Sequence, residues 1–188
     1  MADSDRHTLG TLLAHARRML ADAGKPDAAL DARLLVEHFT DTSRTDAVLE
    51  PQRPVPPRHA ADVLAALERR VAGEPVHRII GWREFYGMTL KLSPGTLEPR
   101  SDTEALVDLA LPFVRAAAER HGACSILDLG TGTGAIALAL IREEPRAAAL
   151  GSDISDDALA TALANADMNG NARRFRAVRS HWFSAIER

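Results

Sequence analysis

The sequence predicts an α/β protein in successive parts: an N-terminal helical bundle, a β-hairpin linker, then a parallel sheet flanked by helices. Three observations carry this. Apolar residues recur at helical spacing in successive segments up to Ile80. Strand-like and helix-like segments alternate from Ser125 onward. The first of those strands runs directly into a turn of alternating glycine and threonine, Gly130–Gly134.

Each element has its own signal. Residues 8–23 carry Leu9, Leu12, Leu13, Ala16, Met19, Leu20 and Ala23 on one helical face, and Gly24 ends the run. Pro26 opens a second helix, with Leu30, Leu34, Leu35 and Phe39 as its stripe, and a short turn of helix is expected over Asp46–Leu49. Pro51–Pro57 excludes regular helix and reads as a stiff connector. A third amphipathic helix runs from Pro57 to Val71 through Val63, Leu64 and Leu67, and a last helical turn covers Pro75–Ile80. The pattern then changes. Glu84–Tyr86 and Thr89–Leu92 read as a hairpin about Gly87-Met88, and Ser93-Pro94-Gly95 as a turn. Ser101 and Glu104 fit a capping box ahead of a helix over Ala105–Ala118.

In the second part, Ile126–Leu129 reads as a buried strand and Ala135–Ile141, apolar all round, as a helix packed on a sheet. Ala147–Leu150 leads to Asp153 as the next strand, Ser155 caps a helix ended by Gly170, and Phe175–Val178 is a third strand. Right-handed crossovers put these strands in the order 3-2-1, with Ile126–Leu129 on an edge whose unpaired backbone invites association.

Composition narrows the function. The 188 residues are 46% hydrophobic and 26% charged with a net charge of −3, as in an ordinary globular protein. Residues 1–73 hold 11 acidic and 10 basic side chains, so no basic face stands out for direct nucleic-acid binding. No apolar run approaches the roughly 18 residues of a membrane span, and no signal segment opens the chain. The single cysteine, Cys124, agrees with a reducing compartment, so a cytoplasmic location is expected. The seven histidines show no metal-ligand spacing, and no metal is expected. Glu143-Glu144 reads as a solvated helix end, Asp156-Asp157 as a helix first turn, and Arg17-Arg18 and Arg69-Arg70 as solvated faces or contacts for a protein partner.

The chemistry concentrates in ILDLGTGTGAIALA, residues 126–139. A strand ends in Asp128, and Gly130, Gly132 and Gly134 alternate with Thr131 and Thr133 before a helix whose first amides are free to face a ligand. Twenty-three positions after Gly130, Asp153 stands where a carboxylate accepts both hydroxyls of a ribose. The spacing also satisfies the dinucleotide pattern G-x-G-x-x-A. Three features weigh against a nicotinamide cofactor: the charge of Asp128 would repel a pyrophosphate but suit an ammonium, the threonines take up room, and a helical bundle precedes the loop.

With these residues in view, the chain resembles the HemK/PrmC release-factor glutamine methyltransferases. The resemblance rests on Gly73-Glu74-Pro75, Gly81–Gly87 (GWREFYG), Ser93–Glu104 (SPGTLEPRSDTE), Asp128–Ala139 and Ser180–Ser184 (SHWFS). It implies a helical substrate-binding domain over 1–80, a hairpin linker over 81–100, and over 101–188 the first half of a Rossmann-like class I methyltransferase domain. It also implies S-adenosyl-L-methionine as cofactor and methylation of the glutamine amide in the GGQ motif of peptide chain release factors. By position, Gly130–Gly134 would wrap the methionine part of the cofactor, Asp128 meet its amino group, Asp153 hold the ribose and Trp182 lie beside the adenine. Trp182 alternatively reads as a core aromatic, and Arg100, Asp102 and Glu104 as capping and hinge residues rather than catalytic ones.

Two departures bear on the reading. His181 stands where the family usually has Asp in the adenine region; a neutral imidazole accepts a hydrogen bond and an imidazolium does not. The family's Asn-Pro-Pro-Tyr motif, which grips the acceptor amide, is absent from these residues, so the chain is expected to be an incomplete or inactive form and no catalytic residue is named. The alternatives are a methyltransferase acting on another planar NH2, such as a nucleic-acid base, and a non-catalytic cofactor-binding or interaction module.

Overall fold

A computed structural model of the chain describes residues 7–186. The chain divides after Ile80 into two compact units.

The first unit is helical: α1 (Leu9–Asp22), α2 (Ala28–Thr40), α3 (Arg44–Leu49), α4 (Pro57–Val71) and α5 (Val76–Ile80). Its core is built from Leu9, Leu12, Ala16 and Leu20 of α1, Leu35 and Val36 of α2, and Val63 and Leu67 of α4. The proline-rich connector finishes α1. Its carbonyls at Arg53 and Pro51 accept the Leu9 and Gly10 amides at 2.9 and 2.8 Å, which the helix itself leaves without partners. Thr8 and Thr11 cap the same end reciprocally.

The stripe read for α2 is corrected. Leu30 is 46% exposed, and the inward face is Asp31, Ala32, Leu35, Val36 and Thr40. The rotation has a cause: the Asp31 carboxylate turns inward to meet Arg70 of α4 at 2.6 Å. Arg70 is therefore no solvated residue, whereas its neighbour Arg69 pairs with Glu74 at the surface.

The second unit begins with a hairpin of β1 (Trp82–Phe85) and β2 (Met88–Lys91), paired antiparallel with Phe85 opposite Met88. Its turn is Tyr86-Gly87, one residue earlier than the sequence suggests. Both turn residues have positive φ, 49° and 67°, the conformation that matches strand twist in a two-residue hairpin. Tyr86 is held there because its amide donates to Glu104 Oε1 at 2.7 Å and its hydroxyl to Asp108 at 2.6 Å, while Met88 is drawn into the core. The Glu104 bond also removes the expected capping box. Ser101–Thr103 form a single 3₁₀ turn, and α6 (Glu104–His121) starts without a side-chain cap.

After α6 come β3 (Cys124–Leu129), α7 (Ala135–Glu143), β4 (Ala147–Asp153), α8 (Asp156–Met168) and β5 (Phe175–Arg179). The strands form a parallel sheet in the order β3-β4-β5, the order the crossovers predict. At the edge, β3 is only half covered: Leu127 is 41% exposed, so this strand is not the buried one its composition suggests. The core lies between the sheet, the hairpin and the helices, with Phe85, Leu90, Leu138, Ile141 and Phe175 at its centre. Glu144 is buried rather than solvated. It receives both the Arg146 guanidinium and the Arg146 amide, closing the turn into β4, and these bonds hold its carboxyl down at about 2.

The inward ion pair of the helical unit generates a stability prediction. Asp31→Ala leaves the Arg70 guanidinium buried without its carboxylate and is expected to destabilise the unit by about 3 kcal/mol in urea unfolding. Glu74→Ala, which removes the surface pair, is expected to change stability by less than about 1 kcal/mol. Equal effects would mean that the Asp31–Arg70 contact is not a buried pair.

Candidate functional site

The site is made where β3 and β4 end. In the parallel register Asp128 stands opposite Gly151 and Leu129 opposite Ser152. The chain then leaves β3 by a sharp turn in which the Gly130 and Thr131 amides both donate to the Ser152 carbonyl at 2.8 Å. Gly130, Gly132 and Gly134 all adopt positive φ. At Gly132 (φ 53°) this turns the amide onto Asp153 Oδ2, 3.0 Å away. A side chain at that φ would be strained.

Thr131 folds back across the sheet, and its hydroxyl donates to Asp128 Oδ2 at 2.8 Å. The space it uses belongs to Gly151. A Cβ on Gly151 would lie 2.8 Å from Thr131 Oγ1 and 2.8 Å from Phe175 Cζ, closer than packed atoms come. Burial pushes the Asp128 carboxyl above the usual carboxylate range; the Thr131 hydroxyl opposes this and the nearby Asp153 charge adds to it.

Asp153 closes β4. Each of its oxygens already accepts one backbone amide, Oδ2 from Gly132 and Oδ1 from Ser155, both at 3.0 Å. Each keeps acceptor capacity for a further hydroxyl. Beside it opens a cavity of about 330 Å³ lined by Leu129, Gly130, Ser152, Ile154, Ser180, His181 and Trp182. Trp182 is 65% exposed with φ 55°, so it is a wall of this cavity and not a core aromatic. The turn that carries it is tied by Ser180 Oγ, which donates to the Trp182 carbonyl at 2.9 Å and accepts the Ala185 amide at 3.1 Å. His181 is exposed on the same rim.

A second cavity, about 170 Å³, shares Gly130 with the first. Asp128, Thr131, Gly132 and Thr133 form one wall, and Leu97–Arg100 the other. Glu98 in that second wall pairs with Arg83 of β1 at 2.5 Å. The segment is pinned further back, where Asp157 Oδ2 accepts the Gly95 amide at 2.7 Å. Bonds from Ser93 and Gly95 hold the Asp157 carboxyl below its ordinary range.

All eight residues singled out from the sequence (Asp128, Gly130, Thr131, Gly132, Thr133, Gly134, Asp153 and Trp182) lie at the C-terminal ends of the strands. Seven line the two cavities. Gly134 instead caps the start of α7, where a Cβ would lie 3.1 Å from Leu138 Cδ1 and 3.3 Å from Ala162 Cβ. Sequence reasoning missed Gly151, Asp157 and Asn165. A glycine inside a strand is a readable sign of close approach. Nothing in the local sequence reveals what Asp157 or Asn165 grips, since the partners are 32 to 74 residues away.

Comparisons with known proteins show what the chain is similar to. Residues 11–81 match the family model described as the PrmC N-terminal domain, and residues 120–184 one described as a methyltransferase domain. A release factor glutamine methyltransferase of Agrobacterium fabrum is 52% identical over 179 residues, covering 95% of this chain and 62% of that protein. One from Aliivibrio fischeri is 41% identical over 180 residues, covering 95% and 61%. The chain thus spans about three fifths of the length of these relatives. Among solved structures, a ribosomal protein L11 methylase of Lactobacillus delbrueckii subsp. bulgaricus is 26% identical at a TM-score of 0.40, covering 52% of this chain and 47% of its own, too slight a likeness to build on.

Gly151→Ala should push Thr131 off Asp128. Overpacking of this kind costs about 1–3 kcal/mol. A loss in that range is expected in thermal unfolding, with the Thr131 and Gly132 amide resonances displaced. A variant with wild-type stability and spectra would show that the strand tolerates the added methyl.

Proposed function

With a PrmC N-terminal domain followed by a methyltransferase domain, the chain belongs to the PrmC family, and from that premise we propose that it uses S-adenosyl-L-methionine to methylate the glutamine amide in the GGQ motif of peptide chain release factors. The observation that carries the reading is the pair of adjoining cavities at the ends of β3 and β4, with Asp153 beside one, Asp128 in the other and Gly130 common to both. The donor set suits the cofactor's unlike ends. Asp153 has two oxygens with capacity for the ribose hydroxyls, beside apolar and aromatic walls (Ile154, Trp182) for the adenine. Asp128 offers a buried negative charge to the ammonium, and the loop 130–134 lies around the methionine chain. His181, on the rim of the same cavity, would take the role the family gives to a carboxylate.

When bound, the cofactor would supply an electrophilic sulfonium methyl, its C–S bond breaking to leave a neutral thioether as the amide nitrogen bonds to the methyl carbon in line and loses a proton to solvent. The chain's own residues orient and hold. Asp153 is itself fixed by two amides, so it offers its free lone pairs without reorganising. Thr131 holds the Asp128 carboxylate in one direction. The helical unit would receive the release factor, a role that its PrmC N-terminal domain match supports.

Calorimetric titration tests the cofactor half. S-adenosyl-L-methionine should bind the wild type, and Asp153→Ala should lose about tenfold or more in affinity, the worth of a hydrogen bond to a charged group. Wild-type affinity in Asp153→Ala, or no binding to the wild type, overturns the reading. A release factor should bind the chain more tightly than a duplex oligonucleotide does; the reverse order overturns the substrate half.

Asp128 predicts a pH dependence with a definite sign. Only its ionised form attracts an ammonium, and burial raises the pH at which that form is lost. Affinity should therefore fall as the solution is acidified through this raised value, with a proton released on binding in that window. Asp128→Asn should bind more weakly at neutral pH and lose this part of the dependence. Parallel profiles for the two proteins would remove Asp128 from the ammonium site.

A further inference from the structure

One buried side chain outside the proposed cofactor contacts joins two walls of the site. Asn165, in the Ala-rich helix α8, has no exposed surface. Its amide is saturated by backbone groups: Oδ1 accepts the Lys91 amide at 2.7 Å, and Nδ2 donates to the Lys91 carbonyl at 3.1 Å and the Thr133 carbonyl at 2.9 Å. The two bonds to Lys91 are those a neighbouring strand would make to the free edge of β2. The third reaches the glycine loop. Lys91 leads into the segment whose Leu97–Arg100 forms one wall of the smaller cavity, and Thr133 belongs to the other. An alanine would suit the helix better by propensity, so the amide is explained by what it holds.

We infer that Asn165 is a positioning residue of the cofactor site, setting the distance between the glycine loop and the segment that faces it. The inference rests on the cofactor reading above, yet it makes a claim about the free protein. Without Asn165, the Thr133 carbonyl and both Lys91 groups lose their buried partner, and the loop is free to shift relative to the hairpin. Asn169 supplies an internal comparison. Its Nδ2 donates to the Thr89 carbonyl at 2.9 Å and to the Asn165 carbonyl at 2.9 Å, so it ties the same helix to the same strand without reaching the loop.

The test uses the 188-residue chain and three variants: Asn165→Ala, the isosteric Asn165→Asp, and Asn169→Ala. Amide hydrogen exchange is read first, without cofactor, at Gly132 and Gly134, whose amides bond to Asp153 and to the Thr131 carbonyl. Both Asn165 variants should exchange about tenfold faster there, as expected for the loss of a buried hydrogen bond, and Asn169→Ala should match the wild type. In Asn165→Asp, which keeps the acceptor, Lys91 should stay protected while the loop does not. Calorimetry should then show affinity for S-adenosyl-L-methionine about tenfold lower in both Asn165 variants and within about twofold of wild type in Asn169→Ala. Wild-type exchange in the loop of the Asn165 variants overturns the inference. So does equal loosening by Asn169→Ala, or unfolding of both Asn165 variants where Asn169→Ala stays folded. If the exchange pattern holds but the wild type binds no cofactor, the cofactor reading fails and the positioning of the loop stands.

Discussion

The Ser152 carbonyl is the point on which the site depends. It receives two successive amides, Gly130 and Thr131, at the end of an edge strand. Those bonds stop β3 from running on, turn the chain back over β4, and so set every later position in the loop. Thr131 then meets Asp128, and Gly132 meets Asp153. The empty space at Gly151 permits the whole arrangement. One carbonyl, one glycine in the neighbouring strand and the parallel register between them are enough to bring two carboxylates from consecutive strands onto one loop.

The hairpin is held by a different kind of contact. Two strands alone are marginally stable, and among the described residues β2 has no strand on its outer side. Helices supply what is missing through side chains. Arg142 of α7 donates to the Gly87 carbonyl at 2.6 Å, Glu104 of α6 accepts the Tyr86 amide, and Asn165 and Asn169 of α8 bond the outer edge. The hairpin therefore takes its place from the same helices that pack on the parallel sheet. This explains how the loop after it can serve as a wall of the cavity.

Much of this was legible in the sequence because it is local. Periodicity marked the helices, Ser155 marked the start of α8, and the glycine–threonine turn between an apolar strand and an apolar helix marked the site. Glu144 was misread through a local partner, Arg146 two residues on, whose guanidinium and amide turn it inward. The other errors share a cause: the Ser101–Glu104 capping box was sound by local rules, but the Glu104 carboxylate is taken by the Tyr86 amide, 18 residues earlier. The α2 stripe failed similarly: counting only apolar residues misses Asp31, which faces inward because Arg70, 39 residues later, meets it there. Asn165 and Asp157 stayed hidden for the same reason, since an Asn or Asp on a helix has many local uses and its long-range partner leaves no pattern.

The electrostatics of the two carboxylates bind these features to the proposed chemistry. Asp128 and Asp153 close adjacent strands and repel each other, and the chain relieves this unequally. Asp153 is given two backbone amides. Asp128 is given the Thr131 hydroxyl and a backbone bond from Ala137, and burial still pushes its carboxyl above the usual carboxylate range. A site of this kind favours a ligand that brings positive charge to the Asp128 side and neutral hydroxyls to the Asp153 side. A nicotinamide dinucleotide would place a pyrophosphate at the loop, against both carboxylates. A sulfonium amino acid joined to a nucleoside reverses that sign, placing its ammonium near the acid that lacks a counter-charge. The order in which the chain satisfies its two acids thus argues for the proposed cofactor independently of any family likeness.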